Sequence, residues 1–367
     1  MAERILIVQL NDLRDILHAL PAVAALRRSR PDDHLVWAVD GNYVDLLRGQ
    51  PWLDRVIGWH RRSPRGLFRF VRELRSERCG IAVDFQGELR SGLAARLSKA
   101  RRRVGYLPSL EMAHVFYNER RPLESLNLHA VERNLALVEH LGVPPTPPLA
   151  RPYLDGKPPS EDPASPIFPA LRPQERDIAA VNAWCDQRRF DPRREQLVLL
   201  NPACNRPSHR WPAARFTQLA KRLLSLGGVR VALVAPAHAA TLCEEVARPL
   251  GDAIGRADGR FNMLALSELL SRARVVVSAD SGLLHLAVAS GAVVVGLYGS
   301  SDAVRSGPYS ASAAVITAKA ACSPCYSKNC PLQADPPHCM DELGVDRVFA
   351  AVLSRLGQQA GAARRSA

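Results

Sequence analysis

Short apolar runs alternate along the chain with longer stretches whose apolar residues recur at helical spacing. Ile5-Leu6-Ile7-Val8 is one such run and predicts a buried parallel strand. A polar turn from Asn11 to Asp15 follows, and residues 16–27 carry the helical spacing. Residues 34–39, 56–59 and 81–85 predict three more strands, with a helix over 67–77 before the last of them. The alternation of strand and helix predicts an α/β fold with a parallel sheet covered on both faces.

Eleven prolines fall between residues 143 and 173. Proline removes a backbone donor and fixes φ, so this stretch reads as a connection, with room for one edge strand. A second series follows. Residues 197–200, 229–234, 275–278 and 293–298 predict strands, and 214–226, 239–250, 263–272 and 282–290 predict helices. A helix over 346–356 and a frayed tail from Gly357 close the chain. The expected organisation is an N-terminal domain over 1–165, a second domain over 174–345, and a terminal helix and tail over 346–367. Two such halves place a cleft between the carboxyl ends of two sheets, where ligands of open α/β sheets bind.

The chain has 367 residues, 47% of them apolar, which suits two domains with real cores. No apolar run is long enough to span a bilayer, and the first eight residues turn polar too soon for a signal peptide, so the expected location is the cytoplasm. The net charge is +13, and only five of the 49 cations are Lys. An Arg-rich genome explains this as well as an anionic partner does. The cations are scattered along the sequence and no nucleic-acid-binding signature is visible, so nucleic acid is not an expected partner.

Three loops carry candidate chemistry. In Val275-Val276-Val277-Ser278-Ala279-Asp280-Ser281-Gly282-Leu283-Leu284-His285 a strand turns into a helix. Asp280 or Ser281 can cap that helix, whose positive end favours an anion such as a diphosphate. Gly282 leaves room for close approach, and His285 lies one turn on, on the face of Ser281. An ordinary capped helix with a buried His would show the same pattern. The second loop, 201–212, carries Arg206, His209 and Arg210, which suit phosphate oxygens but also fit a solvated basic loop. The third is the first strand-to-helix turn. Its Asp15 fits a helix cap, or a base for an acceptor hydroxyl.

Together these segments resemble the glycosyltransferase family that contains the lipopolysaccharide heptosyltransferases. Asp15-Ile16-Leu17-His18-Ala19-Leu20-Pro21-Ala22 matches its opening Gly-Asp and Leu-Pro-Ala pattern after the first position. Asp280 to His285 matches its Asp-Thr/Ser-Gly-x-x-His motif. Cys204 to Pro212 matches the loop before Lys-x-Trp-Pro, and Asp84-Phe85-Gln86-Gly87 with Arg90-Ser91 matches a further motif. The likeness runs from about Arg4 to Leu353.

The resemblance implies a GT-B fold, two Rossmann-like domains facing a central cleft. It implies an inverting, metal-independent transfer from ADP-heptose to a phosphorylated glycolipid, Kdo-lipid A or the inner core, with peripheral contact at the inner membrane and no cofactor. Asp15 then matches the general base. Asn205, His209, Arg210, Phe261, Asp280, Ser281, Gly282 and His285 match donor contacts, and Arg61, Arg62 and Arg90 match acceptor contacts. Three positions depart from the pattern. Arg14 stands for the Gly before the base, His209 for a Lys, and Ala235-Pro236-Ala237-His238 lacks the acid that holds the ribose. A different donor, a sugar-nucleotide epimerase and a non-catalytic binding protein stay open beside the main reading.

Cys322, Cys325, Cys330 and Cys339 form C-x2-C-x4-C-x8-C. That spacing suits a four-thiolate zinc or iron site. The family chemistry needs no metal, so reduced thiols in a compact loop are the main expectation and no catalytic metal is expected.

Overall fold

The computed structural model describes residues 2–60, 64–123, 128–146, 167–191 and 194–365. These divide into two compact units. One holds the residues through 146 together with 167–170, and the other begins at Leu171.

The first unit runs β1 Arg4–Val8, α1 Leu13–Ser29, β2 His34–Asp40, α2 Val44–Leu47, β3 Arg55–Trp59, α3 Pro64–Ser76, β4 Ile81–Asp84, α4 Leu89–Leu97, β5 Arg102–Leu107, a 3-10 segment Leu110–Phe116, β6 Glu119–Pro122 and α5 Ala130–Glu139. The six strands form one parallel sheet in the order β3-β2-β1-β4-β5-β6. Side chains alternate across a strand. Leu6 and Val8 of β1 and Val36 and Ala38 of β2 therefore meet Phe70 and Leu74 of α3 and Ala94 and Ala95 of α4 in one core. α1 packs with α5.

The second unit runs α6 Glu175–Gln187, β7 Gln196–Asn201, α7 Ala213–Leu224, β8 Val229–Leu233, α8 Ala240–Ala247, β9 Gly255–Arg256, α9 Met263–Ser271, β10 Val275–Ala279, α10 Gly282–Ala289, β11 Val294–Tyr298, α11 Ala303–Ser306, β12 Ala314–Thr317, α12 His338–Asp341 and α13 Val345–Arg365. Its sheet order is β12-β11-β10-β7-β8-β9, all parallel. Every second residue of its central strands, such as Val198, Leu200, Val275 and Val277, packs toward Phe216 and Leu219 of α7 and Val348 and Val352 of α13.

The two sheets share one topology. In each, the first strand pairs with the second on one side and with the fourth on the other, so the strand order reverses there. A crevice opens at the carboxyl ends of such a pair, and it is the ligand site of doubly wound folds. The pair is β1/β4 in the first unit, where Val8 is in register with Asp84, and β7/β10 in the second, where Ser278 is in register with Asn201.

The structure extends the sequence expectation at the sheet margins. β5, β6, β9 and β12 add strands that the apolar pattern does not mark. β6 is Glu-Arg-Arg-Pro, a charged edge strand tied down by the Arg102–Glu119 ion pair at 2.7 Å. The helix expected over 239–250 breaks near Pro249 into α8 and a 3-10 turn. The last helix continues to Arg365 through an Ala- and Gln-rich stretch that favours helix, where fraying was expected.

Candidate functional site

Asp15 sits in the first turn of α1, at the β1/β4 crevice. The sequence suggests that it caps this helix; the structure gives the cap to Asp12, whose carboxylate accepts from the Asp15 N–H at 3.3 Å. The Asp15 side chain is left for other work. Asn11 Nδ2 donates to its Oδ2 at 3.1 Å, and Arg14 Nε lies 3.5 Å from its Oδ1. Arg14, at the position of the family Gly, thus turns toward the carboxylate. Asp15 is 27% exposed, open enough to meet a substrate. Its pKa is raised, first by burial, against the lowering effect of Arg14 and with a further push from Asp12.

Residues of the β4 loop complete this network. Asn11 Nδ2 also donates to Glu88 Oε1 at 3.1 Å, and Arg90 donates to Asn11 Oδ1. Gln86 accepts from the Leu10 N–H at 2.8 Å and donates to Glu88 at 2.6 Å. Arg90 and Asp15 are therefore joined through Asn11. The sequence marks Asn11 only as part of a polar turn, and nothing local shows that it meets residues 77 positions away. Arg61 and Arg62 lie outside the described residues.

Asp84 lies beneath the loop, fully buried. It accepts from Tyr117 Oη at 2.6 Å and from the N–H groups of Gln86 and Gly87 at 2.9 and 3.1 Å. Burial outweighs these bonds and pushes its pKa up to about 6. The folded chain then binds more protons than the unfolded chain between about pH 4 and 6. The group's stabilisation is complete below that window and is lost as pH rises through it, a change on the order of 2–3 kcal/mol. Asp84→Asn keeps an oxygen for the two N–H groups and offers Tyr117 an amide instead of a carboxylate. Its melting temperature should exceed the parent's at pH 7.5 and lose that advantage by pH 4. A lower value at pH 7.5 would show that the carboxylate is needed in its charged form.

In the second unit the β10-to-α10 turn is built around Ser281, which is the helix cap and accepts from the Leu284 N–H at 3.3 Å. Asn201, the last residue of β7, donates to Ser278 Oγ at 2.9 Å, to Ser281 Oγ at 3.1 Å and to the Ala203 carbonyl at 3.0 Å. One amide thus fastens the β7 loop to the β10 turn. Sequence reasoning missed Asn201; a polar residue closing an otherwise apolar strand was the available signal. Gly282 opens the helix, whose positive end faces the crevice.

Asp280 does not cap the helix. It is 4% exposed and stands between two imidazoles. His285 Nε2 lies 3.5 Å from its Oδ1, and His209 Nδ1 lies 3.9 Å from its Oδ2 and donates to its carbonyl at 3.1 Å. His209 is thereby buried against Asp280, whereas Asn205, Arg206 and Arg210 of the same loop are exposed. The guanidiniums of Arg206 and Arg210 are the exposed cations of that loop. Phe261 stands half-buried in the β9-to-α9 loop, edge-on to Trp184 at 6.5 Å, next to the α9 cap Asn262.

The cysteine loop braces this loop from behind. Ser208 Oγ donates to the Ser327 carbonyl at 2.6 Å, the Ser208 N–H to the Lys328 carbonyl at 3.2 Å, and Ser300 Oγ to Ser208 Oγ at 3.0 Å. The cysteines are free thiols. Burial and the three neighbouring thiols push Cys339 up. Among the described residues no three His, Cys, Asp or Glu side chains are grouped as a metal ion requires.

Comparison with known proteins bears on both units. The model of glycosyltransferase family 9 (heptosyltransferase) matches residues 67–334. Lipopolysaccharide heptosyltransferase 1 of Pseudomonas aeruginosa is 26% identical over 352 residues, covering 90% of this chain and 88% of the relative. Its namesake from Salmonella typhimurium is 27% identical over 325 residues, 83% of this chain and 91% of the relative. A family 9 glycosyltransferase of Veillonella parvula superposes with a TM-score of 0.80 at 19% identity, over 96% of this chain and 97% of the other. ADP-heptose lipopolysaccharide heptosyltransferase II of Escherichia coli does so with 0.75 at 21%, over 97% and 99%. The fold, two Rossmann-like units with one shared topology, is that of the GT-B enzymes, and the chain belongs to glycosyltransferase family 9, the heptosyltransferase family.

Proposed function

We propose that this glycosyltransferase moves a heptose from ADP-heptose to a phosphorylated acceptor of the lipopolysaccharide inner core, with inversion and without a metal. The observation that carries the reading is the placement of the family-matched residues. Asp15 and Arg90 fall at the ligand crevice of one sheet, and Asp280, Ser281, Gly282 and His285 at that of the other. The relatives named above are lipopolysaccharide heptosyltransferases, and a heptosyltransferase of the same fold is known with ADP-2-deoxy-2-fluoro heptose.

In this mechanism Asp15 takes the proton of an acceptor hydroxyl. The freed oxygen pair attacks the anomeric carbon of the heptose from the face opposite ADP. The bond from that carbon to the β-phosphate oxygen breaks, and ADP leaves with its electron pair. Negative charge grows on the departing diphosphate, where the N-terminus of α10 and the guanidiniums of Arg206 and Arg210 offset it. Phe261 lines the adenine. Arg90, with Arg61 and Arg62, meets the acceptor phosphates, and the reaction runs at the cytoplasmic face of the inner membrane.

The test is ADP release with purified chain, ADP-heptose and Kdo-lipid A, with and without chelator. ADP should appear only when donor and acceptor are both present, and chelator should change nothing. Conversion of the donor alone would instead indicate an epimerase. Turnover with UDP-, GDP- or TDP-sugars but not ADP-heptose would move the donor assignment, which the Ala235-Pro236-Ala237-His238 loop leaves without a ribose acid.

A further inference from the structure

Large apolar side chains left in water concentrate in one stretch of the first unit. Phe68 is 81% exposed, Met112 is 65% exposed, and Leu67, Leu89, Leu93 and Val115 are exposed with them. The topology brings Leu67, Phe68, Leu89 and Met112 to one edge, with Leu93 and Val115 farther down α4 and the 3-10 segment, which returns to the amino end of β6. α3 begins after the carboxyl end of β3, α4 after that of β4, and the 3-10 segment after that of β5. Leu67 and Phe68 lie in the first turns of α3, and Leu89 in the first turn of α4. This is the carboxyl edge of the sheet, the edge that carries Asp15 and Arg90.

The elements are locked together beneath the exposed residues. α3 packs on α4, with Phe70 and Leu74 turned into the core. α4 meets the 3-10 segment so closely that a Cβ on Gly92 would come within 2.9 Å of Phe116 and 3.1 Å of the Ala113 carbonyl. Glu111 Oε2 accepts from the Leu89 N–H at 3.2 Å. Glu111 and Met112 both hold left-handed backbone, with φ of 48° and 57°, which non-glycine residues rarely adopt. The fold thus keeps a costly turn whose product is an apolar side chain held in solvent.

Charge selects the occupant. Residues 64–121 carry thirteen Arg and Lys against six Asp and Glu, more than half of the excess of the whole chain. Arg65, Arg69 and Arg72 stand exposed on α3 beside Phe68. Two copies of this surface would set like charges face to face, whereas an anionic bilayer accepts both the cations and the apolar tips. Among the described residues no helix is long and apolar enough to cross a membrane.

We propose that this edge, with Phe68 and Met112 at its tips, docks the chain onto an anionic bilayer and so presents Asp15 toward the membrane. The proposal rests on the reading of the acceptor as a phosphorylated glycolipid. The test is co-sedimentation of the full chain with vesicles of phosphatidylcholine alone or mixed with phosphatidylglycerol, neither containing glycolipid. The parent should sediment with the anionic vesicles only and be released by salt. Phe68→Ser/Met112→Ser should weaken that partition by about tenfold or more, at an unchanged melting temperature and unchanged turnover of a delipidated, water-soluble acceptor. Arg65→Gln/Arg72→Gln should weaken it independently, which covers the case of a poorly folded apolar variant. Equal vesicle binding by parent and both variants would overturn the proposal, as would a parent that ignores the vesicles. A patch that proves instead to hold two copies together, seen as a mass halved by the double substitution in sedimentation velocity, would overturn it too. If vesicles bind as expected while no glycolipid is glycosylated, the acceptor reading fails and the docking surface stands.

Discussion

Asp15→Ala should lower turnover by roughly 10²–10⁴-fold while ADP binding and folding persist. The carboxylate is held at two points, by Asn11 on one oxygen and Arg14 near the other, so it is oriented without being sealed off. Burial raises its pKa, which makes it a better proton acceptor than an ordinary surface Asp. A base must be ionised to act, so kcat/KM should rise with pH through the Asp15 pKa, with its acid limb above the usual carboxylate range. Arg14 opposes the rise, so Arg14→Gly should shift the acid limb to higher pH. Asn11→Ala should shift it the same way, because the amide donates to the charged form. Stability should move against activity. A raised folded pKa means that the ionised group costs stability once pH exceeds that pKa, so Asp15→Asn should melt no lower than the parent at pH 7.5. Full turnover in Asp15→Ala, or an acid limb that ignores Arg14, would remove Asp15 from the base role.

The parts of the fold that were legible in the sequence are those whose physics is local. β1, β4, β7 and β10 are buried on both faces and read as unbroken apolar runs, Ile5-Leu6-Ile7-Val8 being the plainest. β6 is not legible, because an edge strand needs no apolar face and its Glu119 is specified by Arg102, seventeen residues earlier. Asp15 was legible as a candidate but not as a freed side chain. The distinction lay in Asp12, three residues before it, which satisfies the Asp15 N–H in the manner of a cap. His209 shows the opposite limit. Its residue type suits a phosphate contact, yet its ring is turned onto Asp280, 71 residues on, a contact set by two strands coming side by side. Asn11 with Glu88 and Asn201 with Ser278 are pairings of the same origin, carried by strand order rather than by any local pattern.

Asp280 is the second position where a single change should have a large effect, and the reason is burial. Its carboxylate stands between His285 and His209, and its carbonyl holds the His209 ring. Asp280→Ala leaves two buried imidazoles without that partner. Breaking a buried charged cluster on one side costs roughly 3–5 kcal/mol when both partners are charged and less when they are neutral. Ser281→Ala makes the comparison, since it removes the helix cap, about 1 kcal/mol, and one of the three acceptors of the Asn201 amide while leaving the other two. The two variants should separate on ligand binding as well as on stability. Losing the cap leaves the backbone N–H groups at the start of α10 aimed at the crevice, so ADP affinity should fall only severalfold. Losing the Asp280 carboxylate leaves the loop that bears Arg206 and Arg210 tied by the Asn201 amide and by the residue-280 carbonyl, but it removes the group against which the His209 ring of that loop is seated, so the loop should loosen against the turn that bears Ser281. ADP affinity should then fall by roughly 100-fold, about 2.7 kcal/mol, measured calorimetrically below the lowered melting temperature. Asp280→Asn, which keeps the volume and one oxygen for His285, should fall between the two. If Asp280→Ala binds ADP as tightly as Ser281→Ala, the His209–Asp280–His285 cluster serves the core alone, and the diphosphate is held by the helix terminus without it.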